Sequence, residues 1–209
     1  MSILNEINEN LQKGRSKAVC TLVETALAEK LDPQDIMQSL LDGMNTVGEK
    51  FKRDEVFVPD VMIAARAMNN GLAKLKPYLA DAGVTTVGKA CIGTVKGDLH
   101  DIGKNLVKMM LEGKGFEVVD LGVDVAPETF VKTAVEQNCD VIGCSALLTT
   151  TMGAMGEVCR LAEEAGIRGK VKIMVGGAPV DQRFCDSIGA DAYTRDAASC
   201  ADMAVSFVK

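Results

Sequence analysis

The sequence predicts an α/β protein in which a bundle of four helices is followed by a domain built on a five-stranded parallel sheet. Two observations predict this architecture. Up to about residue 88, apolar side chains recur only at the spacing of amphipathic helices. After that point, short apolar runs typical of buried strands alternate with helical segments, as in parallel strands joined by helices. We therefore divide the chain into a helical bundle at residues 1–88 and an α/β domain at residues 89–209.

The helical bundle is expected to contain four helices. Apolar residues keep helical spacing around residues 3–11 and again around 19–27. Asp32-Pro33 marks the start of a third helix, because aspartate caps helix N-termini and proline is tolerated at the first helical position. This helix is expected to end near Phe51, and a fourth is expected at about 60–79. The short turns between the helices favour a four-helix bundle.

The α/β domain is expected to follow a linker at about residues 80–88, a stretch of small residues with two glycines and no helical stripe. Strands are predicted near 89–95, 117–121, 140–146, 171–175 and 191–194. Helices are predicted near 103–114, 127–137, 152–165, 180–187 and 196–207. Five such units predict a doubly wound, Rossmann- or flavodoxin-like sheet with helices on both faces. The loops after its first, third and fourth strands are expected to meet at one edge.

The composition argues against several classes of function. A net charge of −6 offers no basic patch, so nucleic-acid binding is not expected. The seven cysteines form no CxxC pair, and an odd number at irregular spacing suits reduced thiols in a cytoplasm. The chain shows no signal-peptide pattern and no apolar run near the ~18 residues of a membrane helix. We therefore expect a cytoplasmic protein without a membrane partner.

The only histidine, His100, lies in the loop predicted to follow the first strand. This loop reads Gly97-Asp98-Leu99-His100-Asp101-Ile102-Gly103. The carboxyl ends of parallel strands are where open α/β sheets bind their ligands, and imidazole is a common metal ligand. The loop therefore predicts a metal site. The alternative is a surface histidine or a hydrogen-bonded core histidine.

Two further loops turn this prediction into a family resemblance. The first loop contains Asp-x-His-x-x-Gly, with His100 at its centre. The third strand ends in Ser145-Ala146-Leu147, and Gly176-Gly177 follows the fourth strand. In this order, the three elements resemble the cobalamin-binding signature of B12-dependent methyltransferases and mutases.

The resemblance implies roles for individual residues. His100 would bind cobalt in place of the cofactor's own benzimidazole, with Asp98 hydrogen-bonded to its other nitrogen. Thr151 falls where methionine synthase has a serine and would complete an Asp98–Thr151 proton relay; the alternative is that Thr151 caps the next helix. The other residues implied to hold cobalamin and its nucleotide tail are Gly97, Leu99, Asp101, Gly103, Ser145, Leu147, Thr149, Gly176, Gly177, Tyr193 and Ala197.

The helical part resembles the cap of methionine synthase and its methyl-carrier relatives, on the stretch from Leu41 to Phe51 and on Val58-Pro59-Asp60-Val61. In that cap, apolar side chains shield the upper face of the corrin. The positions implied are Phe51, Val58 and Val61. The alternative is that these three residues are ordinary bundle core.

A cap joined to a cobalamin domain resembles the stand-alone corrinoid proteins of anaerobic methyltransferase systems. The resemblance implies a methyl shuttle that cycles between cob(I)alamin and methylcobalamin, or a related corrinoid. A substrate-specific methyltransferase would supply the methyl group from methanol, a methylamine, a quaternary amine or a methoxyaromatic compound. A second methyltransferase would pass it to tetrahydrofolate or a thiol cofactor, and a reductive activase would be a further partner. The linker at 80–88 would be a hinge.

Other functions remain open at this point. The chain would be the carrier component of a multi-protein system, and whether it counts as an enzyme stays open. One alternative is the cobalamin-binding subunit of an adenosylcobalamin-dependent mutase. Another is a cobalamin-based sensor, although residues 1–88 contain no basic recognition helix.

Overall fold

The computed structural model describes residues 2–81 and 86–209. The middle of the predicted linker and hinge, residues 82–85, lies outside the described residues. The chain divides into two compact units, one formed by Met1–Thr86 with Glu112–Gly115 and the other by Val87–Leu111 with Phe116–Lys209.

The first unit contains the four predicted helices. They are α1 (Ile3–Gln12), α2 (Ser16–Ala28), α3 (Pro33–Lys52) and α4 (Val58–Asp81). Asp32 caps α3 as expected, since its Oδ1 accepts a hydrogen bond of 2.8 Å from the Gln34 N–H. Helix α4 begins before the predicted Asp60, because the Asp60 carboxylate reaches back to the Phe57 N–H at 2.9 Å and closes half of a capping box. No helix in the described part of the chain is long and apolar enough to cross a membrane.

The second unit contains a five-stranded parallel sheet, as predicted. Its strands are β1 (Gly88–Val95), β2 (Phe116–Val125), β3 (Val141–Ser145), β4 (Lys172–Gly176) and β5 (Ala192–Tyr193). Its helices are α5 (Ile102–Gly113), α6 (Pro127–Glu136), α7 (Gly153–Glu164), α8 (Gln182–Ser187) and α9 (Ala197–Phe207). The core includes the fully buried side chains of Cys91, Phe130, Ile142, Met155 and Ile173.

The strand order β2-β1-β3-β4-β5 creates a switch point at β1. The chain leaves β1 towards β2 on one side and later returns to place β3 on the other. Loops at such a point diverge and leave a crevice at the carboxyl edge of the sheet. The loops after β1 and β3 therefore border the expected binding crevice.

Strand β2 is longer than predicted and reaches Val125. Its pairing with β1 is interrupted, because Ile92 pairs with Asp120 and the next residue, Gly93, pairs with Gly122. This bulge lets β2 continue past a polar stretch that resembles a loop in the sequence. The extension brings the carboxyl end of β2 beside the loop that follows β1.

Candidate functional site

A buried carboxylate, that of Asp98, is the centre of the site. Its Oδ1 accepts hydrogen bonds from the His100 N–H at 3.1 Å and from the His100 ring Nδ1 at 2.7 Å. Its Oδ2 accepts from the N–H groups of Leu147 at 2.7 Å and Leu148 at 3.1 Å, and from the Thr151 hydroxyl at 3.0 Å. One side chain therefore joins the loop after β1 to the loop after β3.

This environment fixes the charge of Asp98. Burial alone would raise its pKa, but the hydrogen bonds from the Leu147 N–H and from the side chain and N–H of His100 hold that pKa well below its usual range. The carboxylate is therefore ionised and can only accept hydrogen bonds. It follows that Nδ1 of His100 donates its hydrogen to Asp98, which leaves Nε2 as the ring nitrogen that could bind a metal.

The main chain of His100 is anchored while its ring is accessible. Its N–H donates to Asp98, and its carbonyl oxygen accepts a hydrogen bond of 2.8 Å from the buried Thr94 hydroxyl. The side chain is 52% exposed. A partly exposed imidazole on a fixed backbone, with one nitrogen already oriented, has the arrangement that a metal ligand needs.

Thr151 belongs to this network and does not cap a helix. Helix α7 begins at Gly153, and its N-cap residue, Met152, makes no side-chain capping bond. The Thr151 Oγ1 lies 3.0 Å from Oδ2 of Asp98 and 2.8 Å from the Leu148 carbonyl oxygen. A hydroxyl has one hydrogen to donate, so it can serve only one of these acceptors at a time.

The loops also leave space for a bulky group. A Cβ atom added at Gly103 or Gly176 would meet no atom within 4 Å. Gly177 has a different reason to be glycine: its φ is +128°, and a Cβ there would lie 1.8 Å from the Ala146 carbonyl oxygen. The loops after β3 and β4 thus pass in close contact, while open space remains beside Gly103 and Gly176.

The remaining predicted residues of the sheet domain lie at or near the same edge. Ser145 ends β3 in register with Thr94 and Gly176. Leu147 and Thr149 are exposed in the loop after β3, and Leu99 and Asp101 flank His100 with exposed side chains. Tyr193, on β5, pairs with Val175 of β4, and Ala197 is buried at the start of α9; both lie outside the Asp98 hydrogen-bond network.

Sequence reasoning missed several residues of the site. Ile102, the first residue of α5, and Leu148, in the loop after β3, are exposed apolar side chains near His100 and Asp98. They could have been recognised in the sequence as apolar residues within otherwise polar stretches. Thr94 was also missed, although a hydroxyl within an apolar strand is a recognisable feature. Asp124 was missed as well; it accepts a hydrogen bond of 2.7 Å from the Gly97 N–H.

The three residues predicted for the helical unit differ in how deeply their side chains are buried. Phe51 and Val58 are half-buried, whereas Val61 is fully buried. Full burial of Val61 is what the bundle-core alternative expects. Exposed apolar side chains in the same stretch belong to Phe57, Met62 and Ile63.

The donor set fits a metal that brings its own macrocycle. A bare transition-metal ion takes several protein ligands, whereas a macrocyclic metal centre needs only an axial one. The residues that the structure describes contain no group of three or more His, Cys, Asp or Glu able to hold a metal ion. A single imidazole beside apolar side chains and open glycine positions could therefore serve a metal that brings its other ligands with it.

Two family models match the chain, and both are described as a B12 binding domain. One covers residues 88–204 and the other covers residues 3–76. The chain is 42% identical over 208 residues to a corrinoid protein of Desulfitobacterium hafniense, covering 98% of this chain and 96% of that protein. It is 45% identical over 197 residues to the dimethylamine corrinoid protein of Methanosarcina barkeri, covering 93% and 92% of the two chains.

A solved structure is also similar. A chain of the methanol:cobalamin methyltransferase complex from Methanosarcina barkeri matches with a TM-score of 0.88 and 31% identity. The match covers 99% of this chain and 79% of that chain. Both the helical unit and the sheet unit therefore have counterparts in known proteins.

Proposed function

The chain belongs to the B12-binding corrinoid proteins, as its loop elements and its cap-like helical part together predicted, and from this premise we propose that it carries a methyl group between methyltransferases on a cobalamin held through His100. One observation carries the proposal. The buried Asp98 carboxylate lies 2.7 Å from Nδ1 of His100 and so leaves Nε2 of a half-exposed ring free to bind a metal.

Several parts of this chain would hold the cofactor. His100 would take the axial position, and the exposed apolar side chains around it, among them Leu99 and Ile102, would lie against the macrocycle. The open space beside Gly103 and Gly176 would admit the displaced nucleotide tail. When bound, cobalamin supplies the cobalt centre that accepts and releases the methyl group.

The residues below the metal would manage one proton. The Asp98 carboxylate accepts from Nδ1 of His100 and from the Thr151 hydroxyl, so the three side chains form one connected network. The Thr151 hydroxyl can turn between the Asp98 carboxylate and the Leu148 carbonyl oxygen, because both lie within its reach. The Asp98–Thr151 relay would thus take up or release a proton when the ligation of His100 changes.

The partners follow from the carrier role. A substrate-specific methyltransferase would hold the methyl donor, a second methyltransferase would hold tetrahydrofolate or a thiol acceptor, and a reductive activase would restore the reduced metal. We place methylamines first among the donors, because the 45% identical relative is a dimethylamine corrinoid protein. Methanol, quaternary amines and methoxyaromatic compounds follow.

Electron paramagnetic resonance tests the axial ligand directly. The protein is produced with 15N-labelled histidine, loaded with cobalamin and examined in the Co(II) state. His100 is the only histidine, so the label reports on one residue. We expect a doublet splitting from the labelled nitrogen where unlabelled protein gives a triplet. A triplet that persists in labelled protein would show that the cofactor's own base is the ligand, and the His100→Gly variant serves as the control that lacks the doublet.

Methyl transfer is tested with a partner enzyme. Reduced, cobalamin-loaded protein is mixed with a dimethylamine methyltransferase and isotope-labelled dimethylamine, and the label that stays with the protein is measured. Protein without cobalamin is the control. Failure to accept methyl groups from amine and methanol methyltransferases, together with mutase activity on adding adenosylcobalamin and a barrel subunit, would contradict the carrier role.

A further inference from the structure

A buried lysine lies just beyond the His100 loop. The Lys104 side chain, in the first turn of α5, is only 3% exposed. Its Nζ lies 2.6 Å from Oδ1 of Asp120 and 2.8 Å from the Asn105 side-chain oxygen. A buried ammonium group is costly unless it is paired, and a buried ion pair adds little stability over apolar side chains of similar size. Its clearest effect is to fix the geometry of the groups that it joins.

The partner of Lys104 is held just as firmly. Asp120 lies on β2, and its Oδ1 also accepts a hydrogen bond of 3.0 Å from the Gly122 N–H. Its Oδ2 lies 3.2 Å from Nζ of Lys108, whose side chain is 31% exposed. Burial would raise the pKa of Asp120, but the hydrogen bonds from Lys104, Gly122 and Lys108 lower it to about 2. The Asp120 carboxylate is therefore ionised at neutral pH.

A second connection joins β2 to the other end of the loop. The Asp124 Oδ1 accepts a hydrogen bond of 2.7 Å from the Gly97 N–H, and the Asp124 N–H donates to the Asp98 carbonyl oxygen at 3.0 Å. Asp124 has a φ of +53° and Gly97 a φ of +82°, so both residues adopt the left-handed backbone that this contact requires. Residues 97–104 are thus tied to β2 at both ends.

We infer that these contacts, which we call the β2 clamp, position His100 for cobalt. The β2 clamp consists of the Lys104–Asp120 ion pair and the bonds of Asp124 to Gly97 and Asp98. This inference rests on the proposed function. The Asp98 carboxylate ties the loop to β3, and the β2 clamp ties it to the opposite side, so the loop is held between two neighbours of β1. Lys104, Asp120 and Asp124 are positioning residues that act through the loop.

Two matched pairs of variants test the β2 clamp. Lys104→Met removes the buried partner of Asp120, whereas Lys108→Met removes only its more exposed partner. Asp124→Ala removes the acceptor for the Gly97 N–H, whereas Asp124→Asn keeps an acceptor and tolerates a positive φ. Each variant is loaded with cobalamin, and the ratio of histidine-bound to histidine-free Co(II) is measured from the 15N-histidine splitting.

We expect that ratio to fall about threefold to tenfold in Lys104→Met and Asp124→Ala, below the 10–100-fold losses caused by changing a direct partner of a metal ligand. Lys108→Met and Asp124→Asn should change it by less than about twofold. A purely structural role would lower stability without changing this ratio. An unchanged ratio in both Lys104→Met and Asp124→Ala would therefore overturn the inference.

A measurement without cobalamin separates this inference from the proposed function. The ring nitrogens of the single histidine are followed by nitrogen NMR in the apo protein. In Lys104→Met and Asp124→Ala, we expect exchange broadening of the Nδ1–H signal that the two control variants lack. If wild-type protein shows no histidine splitting, the proposed function fails and this measurement alone decides whether the β2 clamp orders the loop. If Lys104→Met does not fold, the Asp124 pair decides.

Discussion

Replacing Asp98 with Asn would test the centre of the site, because this change exchanges one carboxylate oxygen for an NH₂ group and keeps the rest of the side chain. The carboxylate accepts hydrogen bonds from five donors in His100, Leu147, Leu148 and Thr151. An amide offers one oxygen as acceptor, and its NH₂ group is a donor. If the amide oxygen accepts the hydrogen bonds from the loop after β3, the NH₂ group faces the backbone N–H and the ring Nδ1–H of His100, which are both donors. The imidazole then relieves the clash by moving its hydrogen from Nδ1 to Nε2, which removes the lone pair needed by a metal.

The size of the effect follows from those contacts. The His100 backbone N–H is left facing a donor, and a buried unpaired N–H costs about 1–3 kcal/mol. The hydrogen bonds from Leu147, Leu148 and Thr151 no longer reach a charged acceptor. The contribution of each bond to stability therefore falls from about 2 to about 1 kcal/mol. Relief from burying a charge offsets part of this loss. We therefore expect Asp98→Asn to lower the free energy of unfolding of the apo protein by about 3 kcal/mol, which leaves a domain of ordinary stability folded.

Two measurements check this prediction. Urea denaturation gives the loss in free energy of unfolding, and nitrogen NMR of the single imidazole gives its tautomer. Asp101→Asn is the control for both, since Asp101 is exposed and, among the described residues, its side chain accepts one hydrogen bond, of 3.0 Å from the Asn105 side chain. An Asp98→Asn protein with wild-type stability and an Nδ1–H tautomer would refute the reasoning.

The other predictions concern the glycines, acid stability and Thr151. Gly103→Ala should stabilise the apo protein by about 0.5–1 kcal/mol, because Gly103 lies in α5 with open space around it, yet weaken cobalamin binding about tenfold in a calorimetric titration. Gly177→Ala should prevent stable folding, seen as loss of a cooperative thermal transition, because its Cβ would lie 1.8 Å from a backbone oxygen. The fold lowers the pKa values of Asp98 and Asp120, so their stabilisation is complete above the usual carboxyl pKa and is lost as the pH falls. Urea midpoints should therefore drop between about pH 4 and pH 2, and less steeply in Asp120→Asn. Thr151→Val should cost about 1 kcal/mol of unfolding free energy by removing a donor to Asp98, whereas Thr151→Ser should keep wild-type stability within about 0.5 kcal/mol; equal losses in the two variants would rule out the hydroxyl contact.

The fold was predictable because its signals are local. Helical spacing and the Asp32-Pro33 start predicted the four helices, and apolar runs predicted the five strands. The carboxyl end of β2 was not predictable by this route. Gly122 and Asp124 lie beyond the predicted strand and are typical of loops, and pairing with β1 across a bulge keeps this stretch in a strand.

The site was predictable where one residue type was rare or a spacing was specific. His100 is the only histidine, and Asp98 and Thr151 were identified by their positions relative to it and to Ser145. Lys104 gave no such signal, because a lysine on an amphipathic helix is normally solvated. Its burial depends on Asp120, which lies on a different strand, so it is a property of the tertiary structure.

In the proposed carrier, the contacts of the site would let a metal ligand be both precisely placed and detachable. The backbone of His100 is held by the Thr94 hydroxyl and by Asp98, and neither bond involves Nε2 of the ring. Asp98 also accepts three hydrogen bonds from Leu147, Leu148 and Thr151, which likewise do not involve the ring. Loss of a metal from Nε2 would therefore disrupt none of these contacts, and the change would be confined to one ring. A methyl carrier would need this separation, because its ligand would have to leave and return many times while the loop that holds it stays folded.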